Sequence, residues 1–267
     1  MTPTAFRRTA LALALAAAAH LSPAGATSVY EGFSDYAIGA PVEALNGGSG
    51  WGGAWWYGGL DLNVSAPGLT YAGLPTAGGA ATSAAPSTTQ VAWYVRLLQA
   101  PVGIDNSTLY LSFLLRPEAG QPLSDYGGLN LGDLFVGKSG INAGSDPRYG
   151  LEGPIDIISP SGVAASPGET VFLVLKASFR PGDDHFDLFV NPLPGLLEPM
   201  TADATKTNRD LGITDFIAIN NAGHWTIDEI RIGDSFAAVS GAPVPGVPAL
   251  LLGGLGVLAA RRGRGRS

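Results

Sequence analysis

The chain of 267 residues contains no cysteine, few charged residues and only three histidines. Without cysteine, disulfide bonds, thiol catalysis, zinc–thiolate centres and iron–sulfur clusters are excluded. Only His185 and His224 follow the N-terminal stretch, too few for a typical transition-metal site. The Gly-x-Ser-x-Gly motif of hydrolytic nucleophiles does not occur either. These absences exclude most common catalytic centres.

Charged residues make up 14% of the chain, against about 25% in typical soluble domains. With 38 glycines, 20 prolines and no long helical periodicity between the two ends, the chain is not typical of a helical bundle. Runs rich in aromatic and branched residues, bounded by Gly, Pro, Asn or Asp, predict strands instead. These runs are Ser28–Phe33, Val91–Leu98, Leu109–Leu115, Leu129–Val136, Val171–Phe179, Phe186–Val190, Ile213–Ile219 and Trp225–Ile232. We predict an all-β fold, with residues 72–89 as a loop.

Residues 1–26 have the three parts of a secretory signal peptide. Arg7 and Arg8 supply the charged start, an alanine- and leucine-rich run follows, and Ala24-Gly25-Ala26 is a small-residue cleavage pattern. The alternative is a buried N-terminal helix. We predict a signal helix, recognition by the secretion machinery and a mature chain from about Thr27.

Residues 241–267 have the pattern of a membrane-stop segment. Residues 241–260 carry no charge, and four arginines crowd the last seven positions. Clustered arginine stays on the cytoplasmic side of a membrane, so we predict a C-terminal transmembrane helix with the body outside. A basic nucleic-acid-binding tail and a hydrophobic C-terminal strand are the alternatives.

This tail resembles the PEP-CTERM sorting signal of bacterial exported proteins, in a variant form with a Val-Pro-x-Pro motif and no glutamate. The matching residues are Val244, Pro245, Gly246, Val247, Pro248, Arg261, Arg262, Arg264 and Arg266. The resemblance implies an exosortase-type processing enzyme as partner. It also implies anchoring in the inner membrane before processing, and a cell-surface or extracellular location afterwards.

The body between the two ends is strongly acidic. The ends hold six arginines and no acidic residue, which leaves 9 basic and 22 acidic residues and a net charge of −13. Such a surface repels nucleic acid and anionic lipid. We therefore predict no nucleic-acid partner.

Residues 29–33, 45–51, 189–192 and 227–233 form an ordered set of landmarks across the body. With these landmarks, residues 27–240 resemble the concanavalin A-like, laminin-G-like jelly-roll group. The resemblance implies one sandwich of two antiparallel sheets, with the first and last strands adjacent. It further implies a structural calcium at that junction, held by Asp228 with Glu31, although Asp228 as a surface acid is the alternative. No other cofactor is expected.

Two sequence patterns bear on nucleotide binding and on glycoside hydrolysis. Gly132–Ser139 matches the phosphate-binding motif G-x-x-x-x-G-K-[ST], but its centre is strand-like and no helix can follow, so we reject nucleotide binding. Glycoside hydrolysis needs two carboxylates on one face of a cleft, and the Glu-x-Asp-x-x-Glu spacing of catalytic sandwiches is missing. The acidic run 183–187 is interpreted as the start of a hairpin.

The aromatic cluster Trp51, Trp55 and Trp56 could stack on sugar rings or close an edge of the sandwich, and we favour packing. The main functional prediction is a non-enzymatic cell-surface or matrix protein, associated with extracellular polysaccharide. The alternatives are a carbohydrate-binding module, which needs an exposed aromatic platform on a sheet, and a glycoside hydrolase.

Overall fold

The computed structural model describes residues 27–56, 58–84, 91–140, 146–154 and 158–241. The predicted signal peptide and nearly all of the predicted sorting tail lie outside these residues. Within them, no helix has the length and apolarity needed to cross a bilayer.

The described residues form fourteen strands and one short helix. The strands are β1 (Thr27–Glu31), β2 (Leu62–Ser65), β3 (Ala80–Ser83), β4 (Val91–Val102), β5 (Thr108–Pro117), β6 (Gly127–Leu131), β7 (Leu134–Lys138), β8 (Arg148–Glu152), β9 (Ser159–Ala164), β10 (Val171–Ser178), β11 (Asp184–Val190), β12 (Ala204–Arg209), β13 (Thr214–Ala222) and β14 (Trp225–Gly233), and the helix α1 is Phe236–Val239.

The strands build two antiparallel sheets. The eight-stranded sheet has the order β12-β11-β10-β5-β14-β3-β2, with β1 also paired to β14. The six-stranded sheet has the order β4-β13-β6-β7-β8-β9. The prediction of an all-β, antiparallel two-sheet sandwich is confirmed. The first and last strands are neighbours, with Glu31 opposite Ile230.

The main core lies between the sheets, and a smaller apolar cluster covers the outer face of the eight-stranded sheet. Strand β10 contributes to both, because successive side chains of a strand point to opposite faces. Leu173 and Leu175 join the main core, whereas Phe172 and Val174 join the smaller cluster with Phe236 of α1. This explains why the β10 sequence is apolar on both faces.

The run Leu129–Val136 was predicted as one strand, and that prediction is wrong. Gly132 has a φ of 55°, in the left-handed region that favours glycine, and the chain reverses there between β6 and β7. The phosphate-binding pattern therefore spans a hairpin turn and a strand. Its lysine, Lys138, is buried and donates a hydrogen bond to the Asp125 carbonyl at 2.8 Å, in agreement with rejecting nucleotide binding.

The prediction of a loop at residues 72–89 is also wrong in part, because this segment contains β3. Three of its four residues are alanine or serine and only Thr82 is β-branched, so the strand has little of the branched and aromatic signal of a typical strand. Its place is set by its neighbours: Thr82 lies between Asn63 of β2 and Thr226 of β14. Strands β2, β8, β9 and β12 were not predicted.

Gly127 on β6 provides a test of the packing between the sheets. A Cβ atom at this position would lie 2.2 Å from the ring of Trp225, which is fully buried. We expect Gly127→Ala to lower the free energy of unfolding by about 3 kcal/mol, the upper end of the usual cost of overpacking. Gly162→Ala, on an edge strand with open space around the glycine, is the matched control in urea denaturation. Equal midpoints for the two variants would contradict the packing described here.

Candidate functional site

The outer face of the six-stranded sheet carries a lateral row of residues from five strands. Trp93 of β4 is opposite Asn220 of β13, which is opposite Gly128 of β6. Gly128 in turn is opposite Gly137 of β7, and Gly137 is opposite Gly150 of β8. Directly opposed residues share a face of the sheet. The three glycines add no side chain to this face, so the row has an aromatic side chain at one end and bare backbone along much of its length.

A second row runs beside the first. It consists of Val95, Ala218, Asn130, Phe135 and Glu152, each opposite the next in register. A bridge between the backbones of Trp56 and Val95 extends this row past the edge of β4. The small Ala218 lies between the larger side chains of the row.

A surface cleft of about 340 Å³ lies on these two rows. Three aromatic side chains line it: Trp93 and Phe216, both half-buried, and Phe135, which is buried. Two asparagines, two carboxylates and the residues Gly132, Gly153 and Pro154 complete the lining. An apolar cleft with a few polar groups is the usual form of a small-molecule site.

The asparagines supply free hydrogen-bonding atoms to the cleft. Asn220 Nδ2 donates to Asn130 Oδ1 at 3.1 Å, which orients both amides. Asn130 Nδ2 and Asn220 Oδ1 have no hydrogen-bond partner among the described residues. The cleft therefore offers one donor and one acceptor, held side by side, to a ligand with hydroxyl groups.

Both carboxylates of the cleft are engaged by neighbouring side chains. Asp133 forms an ion pair with Arg209, whose Nε lies 3.2 Å from Asp133 Oδ1. Glu152 is buried and accepts a hydrogen bond from the Ser139 hydroxyl. Burial lowers the pKa of the nearby Lys138 ammonium, and the charges of Asp125, Asp146 and Glu152 partly oppose that effect. The cleft wall therefore carries two acidic side chains, and Arg209 balances the charge of Asp133.

The three tryptophans named as sugar-stacking candidates have different positions. Trp55 is buried in the main core and Trp51 packs against it, with the Arg96 guanidinium 4.6 Å from the Trp51 ring centre and 5.4 Å from that of Trp55. Trp56 is 52% exposed, and its backbone bridges to Val95 of the second row. Stacking on Trp55 is therefore ruled out by burial, and of the three only Trp56 presents a large exposed surface.

The structure does not bring Asp228 and Glu31 together as a calcium site. Glu31 forms an ion pair with Arg96, and Asp228 accepts hydrogen bonds from the backbone N–H groups of Leu69 and Glu229, at 2.9 Å and 2.7 Å. Burial, with the charge of Glu229, raises the pKa of Asp228 to about 9. Over the described ranges, no group of three or more His, Asp or Glu residues could hold a metal. The alternative reading of Asp228 as a surface acid is wrong as well, since the side chain is buried.

Sequence reasoning missed the residues that line the cleft. Trp93, Asn130, Phe135, Phe216 and Asn220 come from four strands, and only Phe135 lies within a sequence motif, the rejected phosphate-binding pattern. The available signal was alternation: in β4 and β13, Trp93 and Asn220 occupy the positions between core residues. Alternation identifies the outward face of each strand, but the neighbours on that face depend on pairing.

Comparisons with known proteins indicate similarity of fold and assign the chain to no family. No protein-family profile and no curated protein matches the chain. Among solved structures, it is similar to an endo-β-1,4-glucuronan lyase from Trichoderma reesei (12% identity, 80% of this chain and 98% of that one, TM-score 0.41). It is also similar to domain 4 of the arabinanase AbnA from Geobacillus stearothermophilus in complex with arabinotriose (14%, 79% and 93%, 0.43). A third is the catalytic domain of a glycoside hydrolase family 131 protein from Coprinopsis cinerea (11%, 81% and 98%, 0.46).

These comparisons contradict the main functional prediction, a non-enzymatic cell-surface or matrix protein. The similar structures cited above, and an endo-1,3-β-glucanase from Streptomyces sioyaensis, are named as carbohydrate-active proteins or their domains. With identities of 10–14% and TM-scores below 0.5, they assign neither an activity nor a ligand to this chain. The case for a ligand depends on the cleft itself.

Proposed function

We propose that the protein binds a carbohydrate in the cleft on the outer face of the six-stranded sheet. The observation that carries the proposal is the combination of Trp93 with the oriented amide pair Asn130 and Asn220. Sugar rings have apolar C–H faces that fit an indole ring, and hydroxyl groups that need both donors and acceptors. The cleft offers both kinds of contact.

The charge of the cleft favours a neutral glycan over an acidic one. Glu152 and Asp133 lie in the lining, and the body carries a net charge of −13. A uronic-acid polymer would bring its carboxylates toward these groups, and like charges close together are unfavourable. We therefore propose a neutral oligosaccharide as ligand, bound without cleavage because the catalytic carboxylate spacing is missing from the sequence.

The proposal for the location of the protein depends on its two ends. We propose export through the signal peptide of residues 1–26 and membrane anchoring through residues 241–267, with processing by an exosortase-type enzyme. The support is sequence pattern: an uncharged run followed by Arg261, Arg262, Arg264 and Arg266. The glycan site would then act outside the cytoplasm.

The experiment is a calorimetric titration of the protein with neutral oligosaccharides of glucose, xylose and arabinose, and with oligoglucuronate. We expect a neutral oligosaccharide to bind with a Kd in the micromolar to millimolar range. Trp93→Ala should weaken binding at least tenfold, a loss of about 1.4 kcal/mol. Asn220→Ala should weaken it as well, because the acceptor is lost and Asn130 is no longer oriented.

Leu97→Ala is the matched control, since Leu97 lies on the same strand and face as Trp93 but outside the cleft lining. It should leave the Kd unchanged. Melting curves of all variants verify folding, and a reducing-end assay on the bound oligosaccharide should show no cleavage. Binding that survives Trp93→Ala and Asn220→Ala, or no binding to any glycan tested, would overturn the proposal.

A further inference from the structure

An unusually apolar loop projects from the outer face of the eight-stranded sheet. This loop, residues 192–200, is called the leucine loop below. Its large apolar side chains are exposed to 66%, 58%, 92% and 104% at Leu193, Leu196, Leu197 and Met200. Single exposed apolar residues are ordinary on protein surfaces, but a contiguous group of them marks a contact surface.

The one charged side chain of the leucine loop is paired within the protein, and three prolines reduce the number of its backbone N–H groups. Glu198, its one charged residue, accepts a hydrogen bond from the Tyr110 hydroxyl at 2.6 Å and pairs with Lys176 at 2.7 Å. Three of its nine residues are prolines, Pro192, Pro194 and Pro199, which have no backbone N–H group. Unpaired backbone polar groups are a main cost of entering a lipid phase, so this composition lowers the cost for the loop.

The leucine loop lies where the chain leaves the sandwich. The backbone N–H of Gly195 donates to the carbonyl of Ser240 at 3.3 Å, one residue after α1 ends. Leu196 and Leu197 line a shallow cleft with Phe236 and Ala237 of α1. From Gly241 the sequence continues with the uncharged run that ends at the arginine cluster.

We propose that the leucine loop inserts into the interface of the bilayer that receives the C-terminal tail. This inference rests on the proposed anchoring by residues 241–267. A tail that enters a membrane at Gly241 holds the loop close to the same surface, so its four apolar side chains replace contact with water by contact with acyl chains. The body is acidic overall, so the lipid partner is a zwitterionic phospholipid and the attraction is hydrophobic.

This orientation places the proposed glycan site on the far side of the molecule. The leucine loop contacts Tyr110, in the outer cluster of the eight-stranded sheet, whereas the cleft is on the outer face of the six-stranded sheet. The two sheets are stacked in between. The membrane-facing surface and the glycan-binding surface are thus opposite each other.

The lack of cysteine allows a direct test, because a single introduced thiol is unique in the chain. Leu197→Cys and Leu97→Cys are made in the full chain, labelled with an environment-sensitive fluorophore and reconstituted with phosphatidylcholine vesicles that contain doxyl-labelled phosphatidylcholine. Both positions are exposed leucines, one in the leucine loop and one on the opposite face. Vesicle flotation measures anchoring, and fluorescence measures insertion.

We expect the chain to float with the vesicles, with doxyl lipid reducing the fluorescence at position 197 at least twofold and that at position 97 by much less. Flotation with equal, weak quenching at both positions would overturn the inference while leaving the anchoring proposal in place. A chain that does not float would overturn both. Neither outcome bears on glycan binding, which the calorimetric titration measures separately.

Discussion

Glu31→Ala is expected to lower the free energy of unfolding by about 3–5 kcal/mol, because it leaves a buried arginine without its counter-charge. Glu31 and Arg96 are 1% and 0% exposed, and Arg96 extends from the core-facing side of β4. The carboxylate of Glu31 also accepts the Phe33 N–H at 2.9 Å and the Tyr36 hydroxyl at 2.8 Å. Burial, together with this carboxylate, raises the pKa of Tyr36 to about 12.

Arg96 joins the Gly-rich aromatic segment to the sandwich. Its Nε donates to the Gly53 carbonyl at 3.0 Å, and one of its terminal nitrogens donates to the Gly47 carbonyl at 2.7 Å. The guanidinium also lies over the rings of Trp51 and Trp55. Losing Glu31 therefore weakens the attachment of this whole segment to β4, in addition to leaving one charge unpaired.

Thermal unfolding of the Glu31→Ala variant should show a fall in Tm of about 6–20 °C, given 2–4 °C per kcal/mol for a domain of this size. Arg148→Ala is the matched control: its partner is Asp146 and its side chain is 44% exposed, so the loss should stay below about 1 kcal/mol. The double variant Glu31→Ala/Arg96→Met should lose less than Glu31→Ala, because no charge remains buried. A Tm equal to that of the Arg148→Ala variant would show that the buried pair is not structurally important.

Raising the pH from 5 to 8 is expected to lower the free energy of unfolding through Asp228, by about 1.4 kcal/mol per pH unit. Burial is the main cause that raises the pKa of this carboxyl from 3.8 to about 9, and the charge of Glu229 adds to it. The backbone N–H groups of Glu229 and Leu69 and the charge of Arg231 act in the opposite direction. The folded protein therefore holds Asp228 in its neutral form at pH 7.

The sign of the effect follows from the two pKa values. Below about pH 4 the carboxyl is neutral in the folded and the unfolded chain, and its contribution to stability is fully present. Between about pH 4 and pH 9 only the unfolded chain releases the proton, so the contribution is lost as the pH rises. Urea denaturation of the wild type and of Asp228→Asn at several pH values isolates this group, because the variant has no proton to release.

The difference in unfolding free energy between wild type and Asp228→Asn should change by about 4 kcal/mol between pH 5 and pH 8. Asp183→Asn, in the exposed turn between β10 and β11, is the control. Its free energy of unfolding should change with pH in the same way as that of the wild type. Parallel curves for wild type and Asp228→Asn would mean that Asp228 ionises normally in the fold.

Local sequence patterns determined the fold class and most of the long strands. Val171–Phe179 was predicted and β10 ends at Ser178; Trp225–Ile232 was predicted and β14 ends at Gly233. Alternating or continuous apolar runs between turn residues carry this information, because a strand buries one or both faces and its turns need Gly, Asn or Pro. The ion pair between Glu229 and Arg231, at 2.5 Å, is a local contact as well.

Tertiary structure alone decided which of these residues meet. Glu31 and Arg96 are 65 positions apart in the chain, and Trp93 and Asn130 reach one cleft only because β13 pairs with both β4 and β6. Small-residue strands such as β3 likewise take their conformation from their neighbours. Periodicity specifies which face a side chain occupies within its own strand, whereas register and strand order arise from contacts across the whole sandwich. For this protein the sequence therefore determined the strands and their inward faces, and long-range pairing decided the cleft, the buried ion pair and the position of the leucine loop.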